Sequence, residues 1–94
     1  MLYTFSSLMD FSAFRQLSSV AQLYWTLKHG TYLVQRWSEA GGINLYHCAD
    51  GGRGYFVEVG HNDGKGFATL LRSFVTTDLL EAYSQEMLLP QAWA

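Results

Sequence analysis

Four apolar-rich segments lie between Thr31 and Val75, and glycine-containing turns separate them. The turns are Ala40-Gly41-Gly42, Asp50-Gly51-Gly52 and Asp63-Gly64. Glycine and Asp-Gly pairs accept the positive φ angles that tight hairpins require. Strands joined by links this short run antiparallel. The pattern therefore predicts a four-stranded antiparallel meander in the middle of the chain.

Helical spacing of apolar residues precedes this region. Four of them fall at i, i+3, i+4 and i+7, which is the stripe of an amphipathic helix. They are Val20, Leu23, Tyr24 and Leu27. Ser19 and Gln22 have the spacing of a capping box, in which each side chain satisfies a free backbone N–H at the helix start. Gly30 suits the end of this helix.

Two more helices are predicted. A short one follows Asp10, with Phe11, Phe14 and Leu17 on its apolar side. The last begins at Asp78, with Leu79, Tyr83 and Met87 on one face, and Pro90 limits its continuation. The chain reads as one α+β domain over residues 1–94 with the element order α-α-β-β-β-β-α. Residues 1–9 are expected to form a tail or a short edge strand.

Turn lengths set the register of the predicted sheet, and a one-residue slip moves every side chain to the other face. A three-residue loop at Gly51-Gly52-Arg53 places Leu45 opposite Val59. A two-residue loop there would place Leu45 opposite Glu58, so the longer loop is preferred. The first turn is predicted to be a three-residue loop and the third a two-residue loop.

These registers divide the predicted sheet into two faces. The core face carries Leu33, Trp37, Ile43, Leu45, Val57, Val59, Ala68 and Leu70. The second face has an apolar row, Val34, Cys48, Phe56 and Leu71, beside a polar row, Arg36, Tyr46, Glu58 and Thr69, with Tyr32 near the edge. If both helical regions pack on the core face, the second face is open to a partner. If the last helix crosses over, the apolar row is a second core layer.

Composition narrows the class of protein. Charged residues make up 15% of the chain, against about 25% in an ordinary soluble domain, which favours burial of apolar surface against another chain. The net charge is −2 and the six Lys and Arg are scattered, which argues against a protein that tracks a nucleic-acid backbone. One cysteine, an N-terminus without signal-peptide features and no apolar run of about 18 residues predict a cytoplasmic location.

The predicted registers do not assemble a metal, cofactor or catalytic site. His47 and Cys48 are neighbours in a strand and point to opposite faces. His47 and His61 share a face but lie roughly 13 Å apart at the rise of a strand, which is too far for one zinc ion. Cys48 is expected beside Val34 and Phe56, which offer no base to activate it, so a buried structural thiol is predicted.

The row of Arg36, Tyr46 and Glu58 is the best polar group of the predicted second face. It is either a cross-strand ladder worth a fraction of a kcal/mol, or a hydrogen-bonding patch that orients a partner or a small ligand. Together with Tyr32 and Phe56, it also has the aromatic content of a sheet that stacks single-stranded bases. The acidic balance of the chain opposes that last interpretation.

Five strings of the chain have a familiar arrangement. They are His29-Gly30-Thr31-Tyr32-Leu33, Ile43-Asn44-Leu45-Tyr46, Phe56-Val57-Glu58-Val59, Leu71-Arg72-Ser73-Phe74 and Leu79-Leu80 with Tyr83. Over roughly residues 17–86, the chain resembles a group of short uncharacterised bacterial proteins. The resemblance implies one compact intracellular domain, and it supplies no activity, substrate or binding residue.

These observations predict a small non-catalytic intracellular interaction module that associates with itself, as a homodimer, through a sheet face or edge, or else with another protein. The candidate binding or interface residues are Tyr32, Val34, Arg36, Tyr46, Phe56, Glu58 and Leu71. No catalytic residue, metal ligand, cofactor or membrane contact is predicted. A small-ligand-binding protein or enzyme with a pocket between sheet and helices is the first alternative. A single-stranded nucleic-acid binder is the second.

Overall fold

The computed structural model describes residues 8–39, 41–62 and 67–75 of the 94-residue chain. Its elements are α1 (Phe11–Arg15), α2 (Ser19–His29), β1 (Thr31–Ser38), β2 (Gly41–Cys48), β3 (Tyr55–Asn62) and β4 (Phe67–Phe74). The four strands form one antiparallel sheet in the order β1-β2-β3-β4. The predicted α+β class and the four-stranded meander are confirmed. The helix predicted from Asp78 lies outside the described residues, as do residues 1–7 of the predicted tail or edge strand.

Side-chain caps fix where the two helices begin. The Asp10 Oδ1 accepts a hydrogen bond from the Ala13 N–H at 2.8 Å, and the Ser18 Oγ accepts one from the Ala21 N–H at 3.1 Å. The N-cap of α2 is therefore Ser18, and the capping box predicted at Ser19 is wrong by one residue. At its other end α2 stops at Gly30, whose φ of −76° leads the chain directly into β1.

The middle hairpin has a different register from the predicted one. Leu45 lies opposite Glu58, the pairing that the three-residue loop excluded. The reason is a longer connection, which spans residues 49–54. The Asp50 Oδ1 accepts a hydrogen bond from the Gly54 N–H at 3.0 Å, and Gly54 takes a positive φ of 78°. The side chain of Asp50 and the freedom of Gly54 thus close a loop that turn length alone does not predict.

The outer hairpins also differ from their predicted lengths. Ser38 pairs with Gly41, so the first connection is shorter than predicted, and Asn62 pairs with Phe67, so the third connection is longer than predicted. The β3–β4 ladder shifts by one residue at Leu71, and the β1–β2 ladder shifts at Leu33. Each shift is a β-bulge, which places two residues opposite one. The bulge at Leu71 brings the next residue of β4 to the face of Glu58.

The observed registers give the sheet two faces with different neighbours. One, called the helix face, carries Tyr46, Cys48, Tyr55, Val57 and Val59, and both helices pack on it. The other, called the Glu58 face, carries Leu45, Phe56, Glu58, Arg72 and Phe74, with Leu33 and Val34 beside them. The whole run from Tyr55 to Val59 is buried. The middle of β3 is therefore covered on both sides, and the core has two layers.

Helix α2 packs with a different side from the one that its apolar stripe predicts. Val20, Tyr24 and Leu27 are exposed, whereas Leu23 packs into the core and Thr26 is fully buried. The Thr26 Oγ1 donates a hydrogen bond to the Gln22 carbonyl at 2.8 Å, which satisfies its hydroxyl. Its small side chain lets the end of the helix approach the sheet closely, and a Cβ on the adjacent Gly30 would lie 3.4 Å from the Cys48 Sγ.

Candidate functional site

Glu58 is a buried charged group at the centre of the Glu58 face. Its side chain is 3% exposed and meets two arginines. The Arg72 Nε donates to the Glu58 Oε1 at 2.6 Å, and the Arg72 Nη2 donates to Oε2 at 3.4 Å. The Arg36 Nη2 reaches over β2 to within 3.7 Å of Oε2. Because a buried carboxylate is costly unless it is paired and hydrogen-bonded, these arginines are what allow Glu58 to be buried.

The two arginines of the charged cluster are partly exposed to solvent, although Glu58 is buried. Their side chains are 26% exposed for Arg36 and 44% exposed for Arg72. The Arg72 guanidinium lies 5.4 Å from the ring centroid of Phe74. Phe74 in turn stacks on Phe56 at 5.5 Å. An ionic cluster and an aromatic layer therefore adjoin on one face, and Arg72 contacts both of them.

An open cavity of about 240 Å³ lies at one end of the Glu58 face. It is lined by Ser38, Gly41, Gly42, Ile43, Gly60, His61, Phe67, Thr69 and Leu71. Ile43 of β2 lies opposite Gly60 of β3, and Gly60 lies opposite Thr69 of β4. The cavity exists because glycines occupy positions where other residues would place a side chain.

The predicted candidate residues divide between the two faces. Val34, Phe56 and Glu58 lie on the Glu58 face with Arg36, and Leu71 reaches the same face at the cavity. Tyr46 packs instead with the residues of the helix face. Tyr32 is there as well, because its ring meets the Tyr46 ring edge-on with centroids 5.8 Å apart.

Two predicted constellations therefore do not form as predicted. Arg36 does reach Glu58, but Tyr46 is on the opposite face, so the predicted row of these three residues is wrong. The cause is the one-residue difference in the β2–β3 register. The same difference places Tyr32 and Tyr46 on the opposite face from Phe56. The three rings therefore do not form the single aromatic surface that base stacking would require.

Arg72 is a member of the site that the sequence pattern missed. The predicted two-residue third turn placed Arg72 on the core face, opposite Tyr55. The longer turn and the bulge at Leu71 bring it opposite Glu58 instead. Two opposite charges on neighbouring predicted strands, Glu58 and Arg72, were the available signal, because such pairs stabilise a register.

Cys48 is a buried free thiol on the helix face, which confirms its predicted burial. Its neighbours are wrong in the prediction, because Tyr55 lies opposite it rather than Phe56. Burial raises the pKa of the Cys48 thiol to about 11, with smaller opposing contributions from Thr26 and Tyr55. Burial also raises the pKa of Tyr55, with additional contributions from Cys48 and Asp50. Both groups stay protonated at neutral pH, so the thiol is a poor nucleophile.

The remaining histidines and acidic residues are dispersed in the described part of the chain. The His47 Nε2 donates a hydrogen bond to the Arg53 carbonyl at 2.8 Å. Within residues 8–39, 41–62 and 67–75, no three His, Cys, Asp or Glu side chains converge to hold a metal ion. In the same residues, neither helix is long and apolar enough to cross a bilayer.

Within the described part of the chain, large apolar side chains are exposed at four places. They are Leu8 before α1, Val20, Tyr24 and Leu27 on α2, Tyr32 and Trp37 on β1, and Phe67, Leu71 and Val75 at β4 and just after it. Within the described part of the chain, β1 and β4 are the edge strands of the sheet. Exposed apolar area at a sheet edge is typical of interaction surfaces.

Comparisons with known proteins found no match for this chain among family models, curated proteins or solved structures. The resemblance to short bacterial proteins therefore stays a prediction. The chain has three features that bear on function. It offers a buried ionic cluster, a cavity floored by glycine and apolar side chains exposed beside an edge strand.

Proposed function

We propose that this protein is an interaction module that self-associates through the outer edge of β1. One observation carries the proposal. Trp37 is 65% exposed and Tyr32 is also exposed, both beside a strand that pairs, among the described residues, with β2 alone. Both side chains lie on the helix face, where α2 packs over β2 and β4. A strand edge that no other described strand covers, with aromatic side chains beside it, is a template for adding another strand.

The composition of β1 supports this choice of edge. Soluble proteins protect exposed edges with proline, lysine, inward-pointing charges or bulges. β1 contains neither proline nor lysine, so two of these devices are missing from it. The bulge at Leu33 lies near the start of the strand, so residues 34–38 keep a regular register. A regular edge can pair with the same edge of a second copy about a two-fold axis, which closes the assembly as a dimer.

The exposed side of α2 is the competing surface. Val20, Tyr24 and Leu27 form an apolar stripe there, and a second helix could pack on it. The β1 edge is the stronger candidate because it combines apolar area with a row of backbone hydrogen-bonding groups. Self-association in a reducing compartment such as the cytoplasm also suits a chain whose single cysteine is buried as a free thiol.

Two matched substitutions separate the surfaces. Trp37 and Tyr24 are aromatic residues of nearly equal exposure, 65% and 63%, so neither Trp37→Lys nor Tyr24→Lys should unfold the protein. Light scattering after size exclusion, over a concentration series, measures the dimer dissociation constant. We expect Trp37→Lys to weaken the dimer about 30-fold, as loss of a central aromatic contact does. Tyr24→Lys should leave the constant unchanged.

The same experiment can reject the proposal. A wild-type chain that stays monomeric throughout the concentration series would exclude self-association. A dimer that Tyr24→Lys dissociates and Trp37→Lys leaves intact would assign the interface to α2. Far-ultraviolet circular dichroism of both variants checks that neither result arises from unfolding.

A further inference from the structure

The cavity at the end of the Glu58 face is formed by a glycine and a bulged leucine. Gly60 leaves its floor without a side chain, and a Cβ placed there would lie 3.2 Å from the Leu71 Cδ1. Leu71 is the extra residue of the β4 bulge, so the bulge is what directs this side chain over the glycine. Bulges commonly re-aim side chains at binding sites. The cavity is therefore a feature of the strand pairing, and β1 contributes Ser38 to its lining.

The lining of the cavity indicates the chemistry of a ligand. Ile43, Phe67 and Leu71 contribute apolar side chains, and Thr69 contributes a hydroxyl group. The described lining residues include no Lys, Arg, Asp or Glu. The Nε2 atom of His61 is buried from solvent, so it does not form part of the accessible wall. Such a surface suits an uncharged, mainly apolar molecule with one hydrogen-bonding group.

The volume limits the size of that molecule. An apolar cavity of about 150 Å³ accommodates benzene, and drug-sized ligands occupy about 300–1,000 Å³. The 240 Å³ of this cavity lies between the two. A substituted single ring or two fused rings therefore fit it.

We propose that the cavity is a binding site for a small uncharged aromatic molecule of the indole class. The ring system lies over Gly60, between Ile43 and the side chain of Leu71. Its N–H or hydroxyl group bonds to the hydroxyl of Thr69. Ligands of this size bind weakly, with a dissociation constant on the order of 1 mM.

Titration of the ¹⁵N-labelled full chain with indole tests this site. The amide resonances of Gly42, Gly60 and Leu71 report directly on the lining. We expect them to shift together and to saturate with one dissociation constant. Benzoate, an aromatic anion of similar size, should shift the same resonances less, because the described lining offers it no cation.

Substitution of the floor and of the wall sharpens the test. Gly60→Ala forces Leu71 toward the cavity and should weaken indole binding at least about fivefold. The matched control is Gly52→Ala, where an added Cβ meets only the Asp50 Oδ1 at an ordinary 3.5 Å; binding should not change.

Leu71→Ala is the second variant, and it should fold normally because Leu71 is exposed. Removal of this wall should weaken binding about threefold or more.

Three outcomes would overturn the proposal. The first is the absence of saturable shifts at the cavity amides with indole. The second is tighter binding of benzoate than of indole, which would assign any site to the arginines. The third is a set of shifts centred on Tyr32 and Trp37, which would indicate general adhesion to exposed apolar surface. Repeating the titration on Trp37→Lys keeps a failure of this site distinct from a failure of self-association.

Discussion

The two faces of the sheet are buried to a similar depth, but they differ in whether their buried groups carry a charge. On the helix face, Phe14, Tyr55 and Val57 are fully buried, and the polar groups among them, such as the Cys48 thiol, are uncharged. On the Glu58 face, Leu45 and Phe56 are buried beside an ionised cluster. The buried groups of the first layer are uncharged, whereas the second layer contains a buried charge.

This difference shows how a small sheet can contain a buried carboxylate. Arg36 and Arg72 each have one end at Glu58 and remain partly exposed. Their guanidinium groups thus pair the carboxylate while they keep contact with water, which lowers the cost of desolvation. On the described part of the helix face, the buried thiol of Cys48 and the buried hydroxyl of Tyr55 stay neutral instead. The comparison predicts that the two faces respond differently to substitution.

Loss of a buried aromatic ring should have the largest effect on either face. Phe14→Ala removes a fully buried ring whose centroid lies 5.0 Å from that of Tyr55. We expect the free energy of unfolding to fall by about 3–5 kcal/mol. Phe56→Ala should cost nearly as much, because Phe56 is also buried and stacks on Phe74. Urea denaturation followed by circular dichroism measures both.

The control for these rings is Phe67→Ala. Phe67 is exposed, so its loss should cost less than about 1 kcal/mol. A cost for Phe56→Ala as small as that for Phe67→Ala would contradict the view that the Glu58 face is a core layer as firm as the helix face.

Neutralisation of Glu58 should have the next largest effect. In Glu58→Gln the shape of the side chain is kept, but Arg72 loses a charge-assisted hydrogen bond of 2.6 Å. Breaking a fully buried pair costs about 3–5 kcal/mol. Because both arginines are partly exposed, water can solvate them, so we expect about 2 kcal/mol. Thermal and urea unfolding at neutral pH provide the measurement.

Glu39→Gln is the matched control for this substitution. Glu39 is exposed in the first turn, so the same chemical change should cost less than about 0.5 kcal/mol. If the two variants lose equal stability, Glu58 behaves as a surface residue and the proposed contrast between the faces fails.

The sequence predicts the existence of the strands better than their pairing. Glycine and Asp-Gly positions mark all three turns because few other residues accept the required backbone angles. They do not fix the loop lengths, since the hydrogen bond from the Gly54 N–H to the Asp50 side chain closes a longer connection than the glycines indicate. A one-residue difference then moves Tyr46 away from Glu58. Local sequence preferences thus predict the strands and turns, whereas side-chain hydrogen bonds decide the register in which the strands pair.

The candidate site illustrates the same limit. The prediction correctly places Arg36 and Glu58 on one face of the sheet. They share a face in any register that offsets β1 from β3 by an even number of residues. Arg72 and the cavity wall at Leu71 depend on a bulge, which has no reliable local signature. The buried side of α2 was also mispredicted, because the apolar stripe at Val20 and Tyr24 is a better hydrophobic match than the side with Thr26. Close packing against Cys48 overrides that pattern.

Alkaline pH should have the smallest effect, and it should act on the helix face. The pKa of Cys48 is raised from 9.0 to about 11. Below pH 9 the thiol is protonated in both the folded and the unfolded chain, so it does not alter stability. Above pH 9 the unfolded chain loses this proton first, and stability falls as the pH approaches 11. The slope is at most about 1.4 kcal/mol per pH unit, so stability falls by about 1 kcal/mol between pH 9 and 10.

Urea denaturation of the wild-type chain and Cys48→Ala, between pH 9 and 10, isolates the thiol. Tyr55, whose pKa is also raised, begins from a value of 10.0 and contributes mainly above this window. Cys48→Ala loses packing at every pH, so the slopes of stability against pH are compared rather than the absolute values. The variant should have a slope shallower by up to about 1 kcal/mol per pH unit. Parallel slopes would mean that the Cys48 thiol ionises as easily in the folded chain as in the unfolded one, and that the helix face admits water where its packing excludes it.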